Sequence, residues 1–385
     1  MERIKIAIVA GEASGDLLGS HLVAALRARL PQAEFVGIGG PKMIAAGVVS
    51  WFPLEKLSVR GYVEAIKSLP AILSIRRRLK RKLREWQPHL FIGVDAPDFN
   101  LGLERYLRRR GIATVHFASP SIWAWRGGRI HKIKRSVDHM LVLFPFEKSI
   151  YDNAGIASSY VGHPMADTIP LEVDLNAARD QLKLSHAAKI IALLPGSRQS
   201  ELKLHADLFI QTAQRLQELM PDVQFLAPLT TRETRQIFET ALYRNAAQDL
   251  HLTILFGHAQ EAMAAADCVL VASGTATLEA ALLKKPMVIT YRVPKLTAVI
   301  MRMQRYLPYV GLPNILAGRF VVPELLQDQA TPDHLATAVQ HWFDDKPARE
   351  ALLETFQNMH VALRQNTAQR ATDAIIGLLQ SRGLR

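Results

Sequence analysis

Two carboxylates stand three residues apart, directly after a run of apolar residues. Asp95 and Asp98 follow the strand-like segment Leu90–Val94. A carboxylate beside an apolar wall can have a raised pKa, and it can then accept a proton from a substrate hydroxyl. The pattern predicts Asp98 as a general base. Either carboxylate could instead cap the helix that begins near Asn100, and this second interpretation applies above all to Asp95.

A glycine-rich turn, GEASGD, follows the first apolar run of the chain. Its glycines permit a tight turn, and free N–H groups at the start of the next helix favour anions and hydroxyl oxygens. Acidic side chains in this turn argue against a bound phosphate and for sugar hydroxyls. We predict that Glu12, Ser14 and Asp16, together with Asn100, bind a sugar; a plain strand-to-helix turn is the alternative.

Two loops in the second half repeat a design of strand, small residues and helix. In LLPGSRQSE, Arg198 supplies a permanent charge and a bidentate fork beside glycine and serine, which suits a diphosphate. In SGTATLE, a helix start can face phosphate while an acid one turn later accepts hydrogen bonds from a ribose diol. Two ordinary turns are the alternative. The predicted nucleotide-sugar residues are Gly196, Ser197, Arg198, Glu201, Ser273, Gly274, Thr275 and Glu279.

The positive charge of the chain is concentrated in three windows of its first half. The formal net charge is +12, but residues 76–84, 105–110 and 126–135 carry 16 Lys and Arg with no acid, so the remainder is −4. The partners of such a surface are polyanions, an anionic membrane or phosphorylated substrates. Nucleic acid is disfavoured, because aromatic residues do not interleave with the basic runs and no recognition module is visible.

The first basic window lies in an amphipathic segment, Pro70–Trp86, which predicts a helix that begins at its proline. One interpretation is a surface helix whose apolar stripe packs on the core. The other, which we favour, is a segment that lies on an anionic membrane. The predicted membrane-facing residues are Ile72, Ile75, Arg76, Arg77, Arg78, Lys80 and Arg81.

Metal and hydrolase chemistry have little support in the sequence. HExxH, CxxC, DxD and GxSxG are absent, and the 13 histidines are scattered. Cys268, the lone cysteine, lies in an apolar run, so we expect a buried thiol and a reducing compartment. The N-terminus does not resemble a signal peptide, and apolar runs are too short to span a membrane. These features predict a cytoplasmic protein with membrane contact only at its surface.

Short runs of β-branched residues alternate with longer segments of helical periodicity along the 385 residues, and this pattern occurs once in each half of the chain. This pattern predicts an α/β fold of two Rossmann-like domains, whose parallel sheets face each other across a cleft, with a helical C-terminus. We expect the domains at 1–168 and 169–345, and helices at 346–385 that pack back on the first domain or on a partner subunit. The expected strands lie near 4–10, 34–38, 90–94, 113–117, 139–144, 159–162, 190–194, 223–227, 252–256, 268–272 and 287–290.

Eight motifs occur in the following order over nearly the whole chain: AGEASGD, GVDAPDFN, PSIWAW, FPFE, GHP, LLPGSR, SGTATLE and LPNILAGR. They resemble the motifs of the lipid A disaccharide synthase family. The resemblance implies the GT-B fold and an inverting glycosyltransferase. In such an enzyme, UDP-2,3-diacylglucosamine donates its sugar to 2,3-diacylglucosamine 1-phosphate, which gives a β-1′,6-linked disaccharide 1-phosphate and UDP. Another GT-B enzyme acting on a UDP-sugar, an epimerase or a lipid II-forming transferase, is the alternative.

The resemblance also assigns roles to the residues singled out above. Asp98 would deprotonate the acceptor hydroxyl, and Arg198 with nearby helix starts would stabilise the leaving diphosphate, so no cofactor or metal is expected. Glu279 would hold the ribose and Asn314 would contact the donor. The acceptor side would be lined by Glu12, Ser14, Asp16 and Asn100. We expect a peripheral protein on the cytoplasmic face of the inner membrane, no nucleic-acid partner, and a homodimer as one option for its assembly.

Overall fold

The fold was analysed in a computed structural model. It describes residues 3–57, 62–125, 127–294, 297–298 and 306–384, with the backbone alone for 62–68. The chain divides into two compact units. The first comprises Met1–Asp167 and Leu363–Arg385, and the second comprises Thr168–Ala362.

The first unit is built on a parallel sheet in the order β3-β2-β1-β4-β5-β6-β7. Every residue of β4 and β5 is buried, as expected for strands covered by helices on both faces. Short 3₁₀ turns lie at Leu54–Lys56 and Gly127–Arg129. The elements are β1 (Lys5–Ala10), α1 (Ala13–Arg29), β2 (Glu34–Ile38), α2 (Pro41–Ala45), β3 (Val49–Ser50), α3 (Tyr62–Trp86), β4 (Leu90–Val94), α4 (Pro97–Arg108), β5 (Ala113–Phe117), α5 (Ile130–Lys134), β6 (His139–Val142), α6 (Pro145–Asn153), β7 (Ser158–Tyr160) and α7 (Pro164–Thr168).

The second unit has a parallel sheet in the order β10-β9-β8-β11-β12-β13. Its central strand β11 is buried throughout, and Cys268 at the start of that strand is buried as predicted. A 3₁₀ turn lies at Gln327–Gln329. The elements are α8 (Leu175–Gln181), β8 (Lys189–Leu194), α9 (Gln199–Leu219), β9 (Val223–Leu229), α10 (Arg232–Arg244), β10 (Leu252–Phe256), α11 (Ala259–Ala265), β11 (Cys268–Ala272), α12 (Thr275–Leu282), β12 (Met287–Tyr291), α13 (Leu312–Ala317), β13 (Glu324–Leu326), α14 (Pro332–Asp344) and α15 (Lys346–Leu363).

The C-terminal helix α16 (Thr367–Ser381) belongs to the first unit. Its residues Ala371, Ile375 and Leu379 are part of the buried core of that unit. The carboxylate of Asp167 accepts hydrogen bonds from Asn366 N at 2.9 Å and Thr367 N at 2.7 Å, which fixes the start of the helix. The return therefore begins at Leu363 rather than at the expected residue 346, because α15 packs in the second unit almost to its end.

The two parallel sheets and the helical C-terminus of the predicted fold class are confirmed, and each expected strand is present within a few residues of its expected ends. Two strands were missed, β3 with two residues and β13 with three. Runs this short carry no readable alternation. The helix predicted from Pro70 instead begins at Tyr62, with the proline inside it. A proline lacks the N–H of an interior helical residue, and for that reason it was taken as a start.

Candidate active site

The functional motifs follow strands that flank the point where the strand order reverses. In the first unit β1 pairs with β2 on one side and β4 on the other, so GEASGD and DAPD leave neighbouring strands at the same edge. A Cβ added to Gly11 would lie 2.3 Å from Ala96 Cβ, so the two loops touch and this position requires glycine. Open parallel sheets bind ligands at such an edge.

The turn between β4 and α4 has an unusual backbone. Asp95 and Ala96 have φ of 51° and 45°, in the left-handed region that side chains other than glycine rarely adopt. Asn100 holds this turn: its Nδ2 donates to Asp95 O at 2.8 Å and to Val9 O at 3.2 Å. Asn100 is fully buried, so the prediction that it binds the acceptor is wrong, because its amide ties the ends of β1 and β4 together.

A cavity of about 210 Å³ opens beside this turn. Its second wall follows β5, the neighbour of β4, and carries the PSIWAW motif. No residue of this wall was predicted as a site residue, although its position after the next strand of the sheet was a usable signal. The cavity is lined by Asp95, Pro97, Ser119, Pro120, Ser121, Ile122, Trp125 and Arg129.

Asp98 occupies the first turn of α4 and is paired with an arginine that sequence reasoning missed. Arg129 Nη2 donates to its two carboxylate oxygens at 2.8 and 3.1 Å. The Asp98 side chain is 77% exposed. The expectation that an apolar wall lies beside this carboxylate is therefore wrong within this unit. The Arg129 guanidinium also lies 6.0 Å from the ring centre of Trp125, which brings the carboxylate, the arginine and the cavity together.

Of the three predicted residues in GEASGD, one is used inside the protein. Asp16 is 3% exposed, and its carboxylate accepts from Gly40 N, Lys42 N and Met43 N at 2.8 to 3.0 Å. It therefore caps α2, and the prediction that it binds the acceptor is wrong. Glu12 and Ser14 are exposed at the start of α1, where both remain accessible to a ligand.

A buried carboxylate supports the cavity wall from behind. Glu147 accepts from Trp123 Nε1 at 3.0 Å, and its second oxygen accepts from Leu143 N at 3.2 Å and Phe144 N at 3.0 Å. Burial raises the pKa of Glu147 to about 7. Sequence reasoning quoted FPFE as a motif but gave its glutamate no role. The three hydrogen bonds link the PSIWAW loop to the start of α6.

The second unit repeats the arrangement, because β8 lies between β9 and β11. The PGSR loop after β8 and the SGT loop after β11 therefore leave adjacent strands at one edge. Gly196 has φ of 126°, and a Cβ there would lie 2.7 Å from Glu201 Cβ, so this position also requires glycine. Ser197 and Arg198 are exposed, as are Gly274 and Thr275.

Glu201 differs from its predicted role in ligand binding. One carboxylate oxygen accepts from Ser197 N at 3.0 Å and Arg198 N at 3.2 Å, and the other accepts from Arg198 Nη1 at 3.3 Å. The three-residue spacing from Arg198 to Glu201 is that of a capping box. The N–H groups expected to receive a diphosphate are thus bonded within the loop, whereas the Arg198 side chain is 65% exposed.

Asn314 is fully buried and its amide is saturated by the protein. Its Nδ2 donates to Val322 O and Glu324 Oε1, and its Oδ1 accepts from Val321 N and Val322 N, at 2.7 to 3.0 Å. An amide makes four such bonds at most in this geometry. The prediction that Asn314 contacts the donor is therefore wrong, because the side chain holds the turn after α13.

Two predicted residues of the SGT loop and its helix keep polar atoms near the edge of the sheet. Ser273 donates its hydroxyl to Val310 O at 3.2 Å, which leaves its oxygen able to accept. Glu279 lies one turn into α12 and is half-buried. Burial, and secondly the charge of Glu261, raise the pKa of Glu279.

The apolar stripe of α3 faces the core of the first unit. Ile75 is 6% exposed and lies in the core with Leu79 and Leu83, and Ile72 packs against that core. The prediction that Ile72 and Ile75 face a membrane is therefore wrong, and the packing interpretation holds for this stripe.

The basic residues of α3 divide into two groups. Arg76 and Lys80 are half-buried against α4, where Lys80 Nζ lies 4.8 Å from the ring centre of Tyr106. Arg77, Arg78 and Arg81 are exposed. Leu69 and Leu73, on the same helix, are 49% and 48% exposed. Arg126, in another basic window, lies outside the described residues.

Within the described ranges, no group of three or more His, Cys, Asp or Glu side chains is placed to hold a metal ion. The helices in these ranges are also too short or too polar to cross a membrane.

Comparison with solved structures defines the class. A UDP-GlcNAc 2-epimerase from Neisseria meningitidis, bound to UDP-GlcNAc, matches 99% of this chain and 100% of its own with a TM-score of 0.60 at 11% identity. A glycosyltransferase from Rickettsia africae matches 98% of both chains with a TM-score of 0.58 at 11% identity. At this identity the likeness concerns the fold alone, which is the GT-B architecture shared by glycosyltransferases and epimerases.

Sequence comparison identifies the family. The family model of lipid-A-disaccharide synthetase matches residues 6–375. The lipid-A-disaccharide synthase of Methylobacillus flagellatus is 56% identical over 375 residues, which cover 97% of this chain and 99% of that relative. The chain belongs to the lipid-A-disaccharide synthase family. It is a glycosyltransferase that transfers 2,3-diacylglucosamine from its UDP derivative to 2,3-diacylglucosamine 1-phosphate, with inversion, which forms the β-1′,6-linked disaccharide 1-phosphate and UDP.

Proposed function

We propose that the first unit binds and activates the acceptor while the second unit binds the UDP-sugar donor. The observation that carries this division is the different polar groups at the two reversal edges. The first edge exposes a carboxylate, Asp98, and the second exposes a cation, Arg198, beside small residues at helix starts. A carboxylate suits proton removal, and a cation suits a diphosphate.

In the proposed reaction, Asp98 takes the proton from the 6-hydroxyl of the acceptor. The oxygen forms a bond to the anomeric carbon of the donor from the face opposite UDP. The bond from that carbon to the diphosphate oxygen breaks, and UDP leaves with the electron pair. Arg129 orients the Asp98 carboxylate through its two hydrogen bonds, so the acceptor hydroxyl reaches a carboxylate that is already positioned.

The charge that develops on the leaving diphosphate is stabilised by Arg198 and by the start of α12. Glu279 binds the ribose, and Ser273, Gly274 and Thr275 approach the phosphates through the loop before that helix. Glu12 and Ser14 bind the acceptor sugar. This assignment gives the electrostatic work to protein groups, so turnover is proposed to require no metal ion.

The test is the complete reaction in the presence of excess chelator. UDP-diacylglucosamine is mixed with diacylglucosamine 1-phosphate, and both UDP and disaccharide are quantified. Equal amounts of the two products at an undiminished rate are expected. A rate that collapses with chelator and returns with magnesium would overturn the proposed metal independence while leaving the family reaction intact.

We also propose that α3 lies on an anionic membrane at the cytoplasmic face of the inner membrane, which is where diacylated substrates partition. Support comes from the exposed face of the helix, which presents two half-exposed leucines together with arginines. A neighbouring groove of about 300 Å³ adds cations at the ends of α4 and α5. Its lining residues are Arg105, Arg108, Arg109, Lys134 and Arg135.

Binding to phosphatidylglycerol vesicles tests this surface. The double variant Arg77→Glu/Arg81→Glu should bind about tenfold or more weakly at low salt, because each basic residue near an anionic surface contributes about 1 kcal/mol. Arg232→Glu in the second unit is the matched control and should bind as the unchanged protein does. Equal binding by all three proteins, or tighter binding to RNA or DNA than to vesicles, would contradict the membrane proposal.

The homodimer stays a prediction, which sedimentation of the purified protein tests.

A further inference from the structure

A fully buried histidine lies beneath the donor-side loop and bonds to two separate segments of the second unit. His205 is in the second turn of α9. Its Nδ1 lies 2.9 Å from Pro195 O, at the start of the PGSR loop. Its Nε2 lies 2.9 Å from Arg292 N, just after β12. The imidazole therefore bridges the exits of two strands of one sheet.

The two backbone partners determine the protonation state of the ring. The Arg292 N–H can only donate, so Nε2 must accept. The Pro195 carbonyl can only accept, so Nδ1 must carry the hydrogen and donate. The ring is thus neutral with its proton on Nδ1. A second proton on Nε2 would face the Arg292 N–H and remove this bond.

The groups that face the ring come from three segments. Glu201 precedes it by one turn of α9, and Arg292 follows β12. The Tyr291 ring centre lies 5.1 Å away, and that of Phe209 lies 6.2 Å away. Burial is the largest influence and lowers the pKa of His205, although the Pro195 carbonyl and the Glu201 carboxylate act in the opposite direction. Burial therefore favours the same neutral form that the hydrogen bonds require.

A second line of contacts ends on the same loop. Tyr291, which packs against the His205 ring, donates from its hydroxyl to Glu201 Oε1 at 3.5 Å. The carboxylate of Glu201 in turn accepts from the backbone of Ser197 and Arg198. His205 thus contacts Pro195, the first residue of the loop, directly. It also packs against Tyr291, whose hydroxyl bonds to the Glu201 carboxylate that holds the rest of the loop.

We propose that His205 is a positioning residue for the donor: it holds the Pro195–Arg198 loop in the geometry that presents the Arg198 guanidinium to the diphosphate of the UDP-sugar. This inference rests on the proposed donor site. Displacement of such a loop by about 1 Å weakens every interaction that depends on its orientation. The residue acts without touching the substrate, because Pro195 and Arg292 occupy both of its nitrogens.

Three variants distinguish a role of His205 in positioning the loop from a role in the overall stability of the protein. His205→Phe keeps a ring but removes both hydrogen bonds. His205→Gln retains one donor and one acceptor, so it can restore both contacts. Thr212→Val is the matched control, since Thr212 is buried on the same helix and its hydroxyl bonds within the helix to Leu208 O at 2.7 Å. For each protein, the Kd for UDP, the KM for the UDP-sugar, kcat and the melting temperature are measured.

His205→Phe should raise the Kd for UDP and the KM for the UDP-sugar about tenfold, with a smaller change in kcat. His205→Gln should recover most of the loss. Thr212→Val should lower the melting temperature without moving KM. Unchanged KM in a folded His205→Phe protein would overturn the proposal, as would an equal rise in KM for Thr212→Val. If His205→Phe does not fold, the pH dependence of KM decides between the outcomes. A KM that stays constant in His205→Gln but rises at low pH in the native chain supports the proposal. Identical pH profiles of the two proteins overturn it.

The pH profile is a readout that a merely structural role would not move in this way. In the native chain, KM for the UDP-sugar should rise as the pH falls below the ordinary range of a histidine pKa, because burial lowers the pKa of His205 and a more acidic pH is needed to add its second proton. The His205→Gln protein cannot gain that proton, so its KM should be flat. Both proteins share all other titrating groups, including those of UDP itself.

Arg198→Ala distinguishes a failure of this inference from a failure of the donor site. If UDP affinity is unchanged in Arg198→Ala, the proposed donor site is wrong and this inference falls with it. If Arg198→Ala weakens UDP binding and His205→Phe does not, the donor site stands and the positioning role alone is wrong.

Discussion

The two reversal edges have the same architecture and expose opposite charges. In each unit a strand pairs with neighbours on both sides at the point where the order reverses, and polar loops follow. At both edges some of these polar groups are bonded inside the protein, such as Asp16 in the first unit and Asn314 in the second. The exposed acids at the first edge include Asp98 and Glu12, and the Arg198 guanidinium is exposed at the second. One scaffold thus exposes a carboxylate in one unit and a guanidinium in the other, which are the groups that we propose as proton acceptor and diphosphate ligand.

Each edge is also supported by a buried titratable side chain of opposite type. Glu147 holds the cavity wall of the first unit, and His205 holds the donor-side loop of the second. Burial raises the pKa of the acid and lowers that of the base, because both shifts favour the neutral form in a low dielectric. In the proposed mechanism, the exposed residues act on substrates and the buried ones position the loops.

The largest expected effect is the loss of kcat when the carboxylate of Asp98 is removed. Asp98→Asn removes the proton acceptor and should lower kcat by about a thousandfold, within the range of general-base catalysis. The Kd for UDP should be unchanged, because the proposed donor site lies in the other unit. Rate assays and calorimetry measure the two quantities. Near-normal turnover would remove Asp98 as the base, and a loss of UDP affinity would contradict the division of labour.

The next effect concerns the pH dependence of stability at Glu147. Its pKa is about 7 in the folded protein and near 4.5 when unfolded, so between these values the folded state binds the extra proton. The free energy of unfolding should fall as the pH rises through this window, by about 3 kcal/mol at most.

Glu147→Gln should lack this contribution, so the difference in unfolding free energy between the native chain and the variant should change from pH 5 to pH 7.5. Denaturant titrations at several pH values measure it, and comparison of the two chains cancels the other titrating groups. Parallel curves would show that the burial of Glu147 does not control its ionisation.

Arg198→Ala tests the other edge. Removing a charged hydrogen-bond donor to phosphate should weaken UDP binding by about 10- to 30-fold, or about 1.4–2 kcal/mol. The Asp98→Asn protein serves as the control, because its UDP affinity should not change. An Arg198→Ala protein with native UDP affinity would show that the exposed guanidinium does not bind the diphosphate.

The smallest expected effect is a change in stability that distinguishes the structural acid Asp16 from the proposed ligand-binding acid Glu12 in the same loop. Asp16→Asn should lower the free energy of unfolding by about 1 kcal/mol, because the neutral amide accepts the three N–H bonds of α2 poorly. Glu12→Gln, four residues earlier and exposed, should leave stability nearly unchanged while raising the acceptor KM. The reverse assignment of these two outcomes would show that Asp16 binds the acceptor instead.

The fold was predictable because its signals are local. Buried parallel strands appear as short apolar runs, and helices appear by their periodicity, so the regular strands were placed within a few residues. The failures were equally physical. The edge strands β3 and β13 are too short to show a pattern, and Pro70 lies inside a helix that the sequence suggested it would start.

The sequence by itself determined the family, the two sheets and the loops that carry the polar motifs, because each depends on residue order along the chain. The tertiary structure decided what each side chain in those loops does. Four side chains had the right types for ligands, but backbone groups distant in sequence or in the same loop bond to them instead: Asp16, Glu201, Asn314 and, through its Nδ2 alone, Asn100. Arg129 and His205 gain their roles from partners that only the folded chain brings within hydrogen-bond distance. A hydrogen bond requires two atoms at about 3 Å. Asp98 is 31 residues from Arg129, and the backbone of Arg292 is 87 residues from His205, so only folding brings these atoms together.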